Sequence, residues 1–151
     1  MIYHLNINRR SRAIHRVLDA LTSPDVYHDL VELPTINYPV PNEIRRNKAF
    51  FPWFKDCIGA IDGTHIPMHV PEVLRAAYRN RKGDISQNVL AATTMDMKFV
   101  YVLPGWEGSA ADSRVYDDAR ASDFNIPKAR YYLADAGYAN CDALLVPYRG
   151  V

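Results

Sequence analysis

Two short apolar runs, each closed by an aspartate and a glycine turn, constrain this chain more than any other feature. The first is Cys57-Ile58-Gly59-Ala60-Ile61-Asp62-Gly63, and the second is Tyr131-Tyr132-Leu133-Ala134-Asp135-Ala136-Gly137. Runs of this length and β-branched or aromatic content read as buried strands. A carboxylate set where a buried strand gives way to a glycine turn is held by the sheet and open at its rim. That is a suitable place for a ligand of a divalent cation. A turn-forming role for the Asp-Gly pair is the plainer alternative for Asp62, and a strand-ending cap for Asp135.

The 151 residues suit one principal domain, and 48% apolar content supplies a core. A formal net charge of +1 gives no global field toward nucleic acid or membrane, so any basic surface must be local. The densest basic stretch holds Arg75, Arg79, Arg81 and Lys82, and it reads either as a solvated face or as a phosphate-contacting patch. Cys57 and Cys141 have no metal-ligand spacing and suggest no disulfide framework, so a reducing intracellular setting is expected. No apolar run reaches membrane-span length and no signal-peptide core is evident, which predicts a soluble, non-secreted protein without a membrane partner.

Along the chain, Ile14, Val17, Leu18 and Leu21 predict an amphipathic helix over 12–22, with Ser11 as its cap and Ser23-Pro24 as its end. Three prolines between residues 33 and 41 mark an extended connector, placing a boundary between a 1–41 region and a 42–151 domain. A short helix is expected over 42–47. The aromatic group Phe50, Phe51, Trp53 and Phe54 is expected to be core. Strand 57–62 follows, with a continuation over 65–70 interrupted at Pro67, and residues 71–82 suit a short helix. Residues 88–94 and 98–103 read as a hairpin, and Ser109 to Asp112 as a capping box opening a helix to about residue 121. Strand 130–134 comes last.

Strand, hairpin, helix, strand is the opening order of a ribonuclease H-like fold. The expected class is therefore α/β, a ribonuclease H-like mixed sheet with flanking helices. A right-handed crossover through the 112–121 helix makes strands 57–62 and 130–134 parallel, so Asp62 and Asp135 emerge at one sheet edge. Asp112 reads equally as a helix cap or as the extra acid that ribonuclease H-like enzymes often carry on this helix. His65 and His69 have zinc-pair spacing only on a helix, which Gly63 and Pro67 oppose. No glycine-rich nucleotide loop occurs, so no nucleotide cofactor is expected.

Several segments occur in order: Phe54-Lys-Asp-Cys-Ile-Gly-Ala-Ile-Asp-Gly-Thr-His-Ile66, Tyr78-Arg-Asn-Arg-Lys-Gly83, Ser86-Gln-Asn-Val89, Gly105-Trp-Glu-Gly-Ser-Ala-Ala-Asp-Ser-Arg-Val115, Tyr132-Leu-Ala-Asp-Ala-Gly-Tyr138 and Pro147-Tyr-Arg-Gly150. Together they resemble the nuclease domain of PIF/Harbinger-type DDE transposases and their domesticated relatives, over about 42–151. The resemblance implies a nuclear, divalent-metal-dependent DNA endonuclease of the transposase type, using Mg2+ or Mn2+. Asp62 would be the first acid and Asp135 the second, each a metal ligand, with Asp112 as a candidate third. It also implies that the family's own third acid, a glutamate on a later helix, and the last strand and helices lie beyond Val151, and that residues 1–41 are the remnant of a helix-turn-helix region. Arg79, Arg81, Lys82, Arg114 and His65 are the candidate DNA contacts, Trp106 and Ser109 suit packing and capping, and a Myb-like protein is the partner known for the family. The alternative to catalysis is a non-catalytic DNA- or protein-binding module, or a transposon remnant.

Overall fold

The computed structural model describes residues 2–148, and for residues 2–11, 28 and 29 the backbone only. The chain divides into two compact units, one reaching to Glu32 and one starting at Leu33. The first unit holds α1 (Ile2–Leu21) and α2 (Pro24–Leu30). Ser11 lies inside α1 rather than capping it, because the helix starts nearly three turns earlier than its apolar spacing suggests. Ser23-Pro24 does end it, and Pro24 then opens α2 at a position where its missing N–H has no intrahelical partner to lose. The stripe of Ile14, Val17, Leu18 and Leu21 is exposed.

The second unit is built on a five-stranded sheet. Its strands are β1 (Cys57–Pro67), β2 (Ser86–Thr93), β3 (Phe99–Glu107), β4 (Tyr131–Leu133) and β5 (Leu144–Leu145), in the order β3-β2-β1-β4-β5. β1, β2 and β3 pair antiparallel in sequence, whereas β4 pairs parallel with β1, and β5 parallel with β4. This is the expected ribonuclease H-like α/β arrangement. A fifth strand, the two residues of β5, pairs with β4, a span too short for any alternation to reveal.

Helix α5 (Asp112–Ser122) makes the crossover from β3 to β4. Val115, Tyr116 and Ala119 are its buried face, one helical turn apart, and they seat it on the sheet. Phe124, just past the helix, is fully buried, stacked on Tyr101 at 4.5 Å and tilted against Tyr132 at 5.4 Å. Tyr101 donates its hydroxyl proton to Asp123 at 2.7 Å, so the helix end is fastened by a polar bond above an apolar contact. Ile58, Ile61, Leu90 and Ala92 complete the core beneath it.

Residues before the sheet are partly tied to it. α3 (Asn42–Arg45) is shorter than the 42–47 expected and buries Ile44. The Arg130 guanidinium donates to the carbonyls of Ile36 and Tyr38 at 2.9 and 2.8 Å, and Tyr38 and Leu33 pack on the core. The aromatic group expected to be core is instead at the surface: Phe50 and Phe51 are exposed and Trp53 is 78% exposed. Clustering in sequence joins Phe50 edge-on to Phe54 at 5.9 Å but supplies nothing to cover them among the described residues. Residues 71–82 form a 3-10 turn (Glu72–Leu74) and the single-turn α4 (Arg75–Tyr78). No helix among the described residues is long and apolar enough to cross a membrane.

Leu90 lies at the middle of β2, fully buried and paired opposite Gly63 and Leu103. Leu90→Ala is expected to cost about 2–5 kcal/mol, measured by urea unfolding, because the sheet cannot close around the void.

Candidate active site

The parallel β1–β4 ladder ends at the pair Ala60 and Leu133. Asp62 and Asp135 each lie two residues further along their own strands' direction, so the parallel register carries both to the same rim. Asp62 does not end its strand, as its segment suggested. β1 continues through Gly63 to Pro67 because β2 keeps pairing with it, Asp62 opposite Ala91 and Pro67 opposite Ser86. Beyond Ala60 the strand has a partner on one side only, which is why it tolerates a proline at its end. β1 and β4 part company there, and the carboxylates occupy the opening.

Each of the two acids is oriented by a local backbone bond. Gly63 N–H donates to Asp62 Oδ1 at 2.8 Å, and Gly137 N–H donates to Asp135 Oδ1 at 2.8 Å. Burial raises the Asp62 carboxyl above its ordinary range, the Gly63 N–H opposes this, and the charges of Asp135 and Asp112 raise it further. Asp62 therefore senses both other carboxylates at the rim.

Asp112 arrives from the crossover helix. The capping box does not form: the helix cap is Ala111, in extended conformation and without a side-chain bond, and Asp112 is itself the first helical residue. The loop before it is still turning, with Ala110 N–H bonded to Glu107 O and Ser109 N–H to Ala77 O, so the helix opens two residues later than Ser109 would start it. The Asp112 carboxylate is thereby released from capping, and its Oδ1 accepts from Asn88 Nδ2 at 2.7 Å. It also lies against Gly63, where any Cβ would overlap Asp112 Oδ1 and stand 3.2 Å from Asn88 Oδ1. Glycine at position 63 is thus required by a close approach from the helix above.

Two buried oxygens at this rim have no hydrogen-bond partner among the described residues: Asn88 Oδ1 and the Tyr138 hydroxyl. Burial, followed by the charges of Asp112, Asp62 and Asp135, pushes the Tyr138 hydroxyl far above its usual range. Neither residue was singled out from sequence. Asn88 precedes the apolar run Val89-Leu90-Ala91-Ala92, and a polar residue at the same alternation as Leu90 and Ala92 was the available signal. Tyr138 ends the Asp135 motif three residues on, but nothing in its spacing revealed that it folds back under the acids.

Beside the rim lies an open groove of about 700 Å³, with Asp112 on its wall. Arg75, Arg81 and Lys82, with His65 and His69, outnumber the carboxylates of Asp84 and Asp112 on its lining and give it a basic character. Asn80 shapes that wall: its Oδ1 accepts from the N–H groups of Lys82 and Asp84 at 2.9 and 3.0 Å, and its Nδ2 donates to Ser86 Oγ. Ser86 Oγ also meets His65 Nδ1 at 3.1 Å. Gly108 lets the loop before α5 approach closely, since a Cβ there would fall 2.5 Å from the carbonyls of Ser86 and Tyr78. Arg79 is outside this wall and donates to Gly83 O at 2.8 Å, closing the basic turn. Arg114 is also elsewhere, its guanidinium 5.7 Å above the Trp106 ring, while Trp106 donates to Asp118 at 3.0 Å.

The donor set at the rim is all oxygen, as a hard dication requires, and Mg2+ needs only one or two carboxylates because it keeps much of its water. Among the described residues no three His, Cys, Asp or Glu side chains converge on one ion position. Asp62 and Asp135, with Asp112 and the orphaned Asn88 oxygen nearby, fit such a cation as a sparse, water-rich shell.

The raised Asp62 carboxyl makes the apo fold less stable as pH rises. A carboxyl whose pKa is higher folded than unfolded binds the proton better in the folded state, so stability falls as pH climbs from about 4, the ordinary value, through the folded one. In chelator, Asp62→Asn is expected to raise the melting temperature at pH 7 and to leave it nearly unchanged at pH 3, read by thermal denaturation at both.

Residues 61–150 match the DDE superfamily endonuclease family. The chain is 24% identical to Protein ALP1-like of Arabidopsis thaliana over 98% of its own length and 39% of that protein. It is 30% identical to Putative nuclease HARBI1 of Rattus norvegicus over 60% of its own length and 27% of that protein. The chain thus spans less than half the length of either of these curated relatives. No solved structure matches it. With the matched segment covering both aspartate motifs, the groove wall and the crossover helix, the chain belongs to the DDE superfamily endonucleases, of the Harbinger-derived type its motifs resemble.

Proposed function

We propose that the β1–β4 rim is a divalent-cation centre for phosphodiester cleavage in DNA, with Asp62 and Asp135 as the cation ligands. The observation that carries this reading is their register. Both stand two residues past the last parallel pair, close enough for the charge of Asp135 to raise the Asp62 carboxyl. A dication relieves that repulsion, and when bound, Mg2+ or Mn2+ supplies charge neutralisation at the phosphate and activation of the attacking oxygen. The chain's own groups do the rest. Gly63 and Gly137 N–H hold the carboxylates in orientation, and the basic groove holds the polyanion beside them. Arg81 and Lys82 would neutralise backbone phosphates without reading bases, and His65, bonded to Ser86, lines the same groove. Transposase-type strand transfer, work in the nucleus and a Myb-like protein partner rest on the family resemblance alone.

A second reading, a DNA-binding module that does not cut, is favoured by one observation: no third acid joins Asp62 and Asp135 in a common donor set among the described residues. The two readings share the groove and differ in cleavage.

Calorimetric titration with Mn2+ tests the centre. Asp62→Asn and Asp135→Asn should each abolish the binding heat seen for the wild-type chain, and unaltered binding in both variants removes the proposed site. For the groove, Arg81→Ala and Lys82→Ala should each weaken duplex DNA binding uniformly across sequences. The slope of log affinity against log salt should become shallower by about 0.9 for each phosphate that the variant no longer neutralises. Binding that survives both substitutions at unchanged slope places DNA elsewhere. Nicking of supercoiled plasmid in Mn2+ favours the endonuclease; salt-dependent binding without nicking favours the module.

A further inference from the structure

We propose that Asn88 is a neutral oxygen donor of the cation site: its amide nitrogen fixes the Asp112 carboxylate, and its amide oxygen takes a divalent cation, or a water of that cation's shell, beside it. This rests on the reading of the rim as a cation centre and extends that centre from the β1–β4 side to the helix side.

Asn88 is 1% exposed, on the strand face it shares with Leu90 and Ala92. Both N–H groups of its amide are spent, one on Ala110 O at 3.1 Å and one on Asp112 Oδ1 at 2.7 Å. Those two acceptors settle which end of the amide is which, since the flipped side chain would set its oxygen against a carbonyl and a carboxylate. The oxygen is left buried and without a partner among the described residues. An unmet amide oxygen in such a place is destabilising, and burial alone would be served better by the leucine and alanine that follow on the same face.

The space around that oxygen is also kept open. A Cβ at Gly63 would stand 3.2 Å from Asn88 Oδ1 and overlap Asp112 Oδ1, so both oxygens border the gap that the missing side chain leaves, one residue from Asp62. Hard dications accept an amide carbonyl beside carboxylates and waters. A donor set of this kind needs no third acid, in keeping with the lack of a three-acid group among the described residues. Of the two further buried side-chain oxygens without a partner among the described residues, the Tyr132 and Tyr138 hydroxyls, that of Tyr138 is close enough to feel the charges of Asp62, Asp112 and Asp135.

Two substitutions separate a donor from a simple brace. Asn88→Ala removes the oxygen and both N–H bonds, and should lower Mn2+ affinity about 10–100-fold, the range for groups that support metal ligands. Asn88→Asp keeps an oxygen at the same position while losing both N–H bonds, and should bind Mn2+ at least as well as wild type. Asn88→Asp binding as weakly as Asn88→Ala would reduce Asn88 to a brace and overturn the proposal, as would unchanged affinity in Asn88→Ala. If neither variant folds, the wild-type chain decides. Substoichiometric Mn2+ should broaden the Asn88 side-chain amide resonance together with the backbone amides of Gly63 and Gly137. Broadening of those two glycines with a sharp Asn88 signal overturns the Asn88 assignment and leaves the cation centre standing; no broadening at the rim overturns both.

Discussion

The parallel pairing of β1 with β4 is the constraint on which the site depends. Its last pair, Ala60 with Leu133, is followed on each strand by one residue and then an aspartate, while β1 goes on pairing with β2. The strands separate with a carboxylate on each lip. The pairing itself depends on α5, whose Val115, Tyr116 and Ala119 lie on the sheet and set the handedness and length of the crossover. The aromatic contacts of Phe124 with Tyr101 and Tyr132 then hold the end of the crossover to the strand that carries Asp135. Core packing and site geometry are therefore one structural problem.

That arrangement collects unfavourable terms in one place. Asp62 is raised by burial and by two like charges, Tyr138 has a buried hydroxyl without a partner, and Asn88 has a buried oxygen in the same condition. A chain selected for apo stability alone would remove them, since each buried unmet polar group costs on the order of 1–3 kcal/mol. Their concentration at the rim, with a basic groove alongside, is what a site for a cation and a polyanion would show. The groove and the rim meet at Asp112, which lines the first and raises the Asp62 carboxyl of the second.

The strand order and both rim aspartates were legible in the sequence, because apolar runs ending in Asp and Gly carry their own punctuation. Asp112 was half legible: its spacing from Ser109 reads as a capping box, and only the tertiary turn at residues 107–111 moves the helix start and releases the carboxylate. Asn88 and Tyr138 were not legible as site residues, since a polar group within an alternating strand reads as facing solvent until a helix is known to cover it. The aromatic group around Trp53 shows the converse. Apolar content says that a residue favours burial, not that the fold supplies a cover. β5 escaped notice because two residues have no period, and its pairing comes wholly from β4.

The most direct test is a crystal structure of the chain soaked in Mn2+, read by the metal's anomalous signal. One peak lying between the carboxylates of Asp62 and Asp135 is the predicted result, since the register that ends at Ala60 and Leu133 carries both to one rim. A peak bound by neither, or an empty rim with manganese bound elsewhere, would contradict the account.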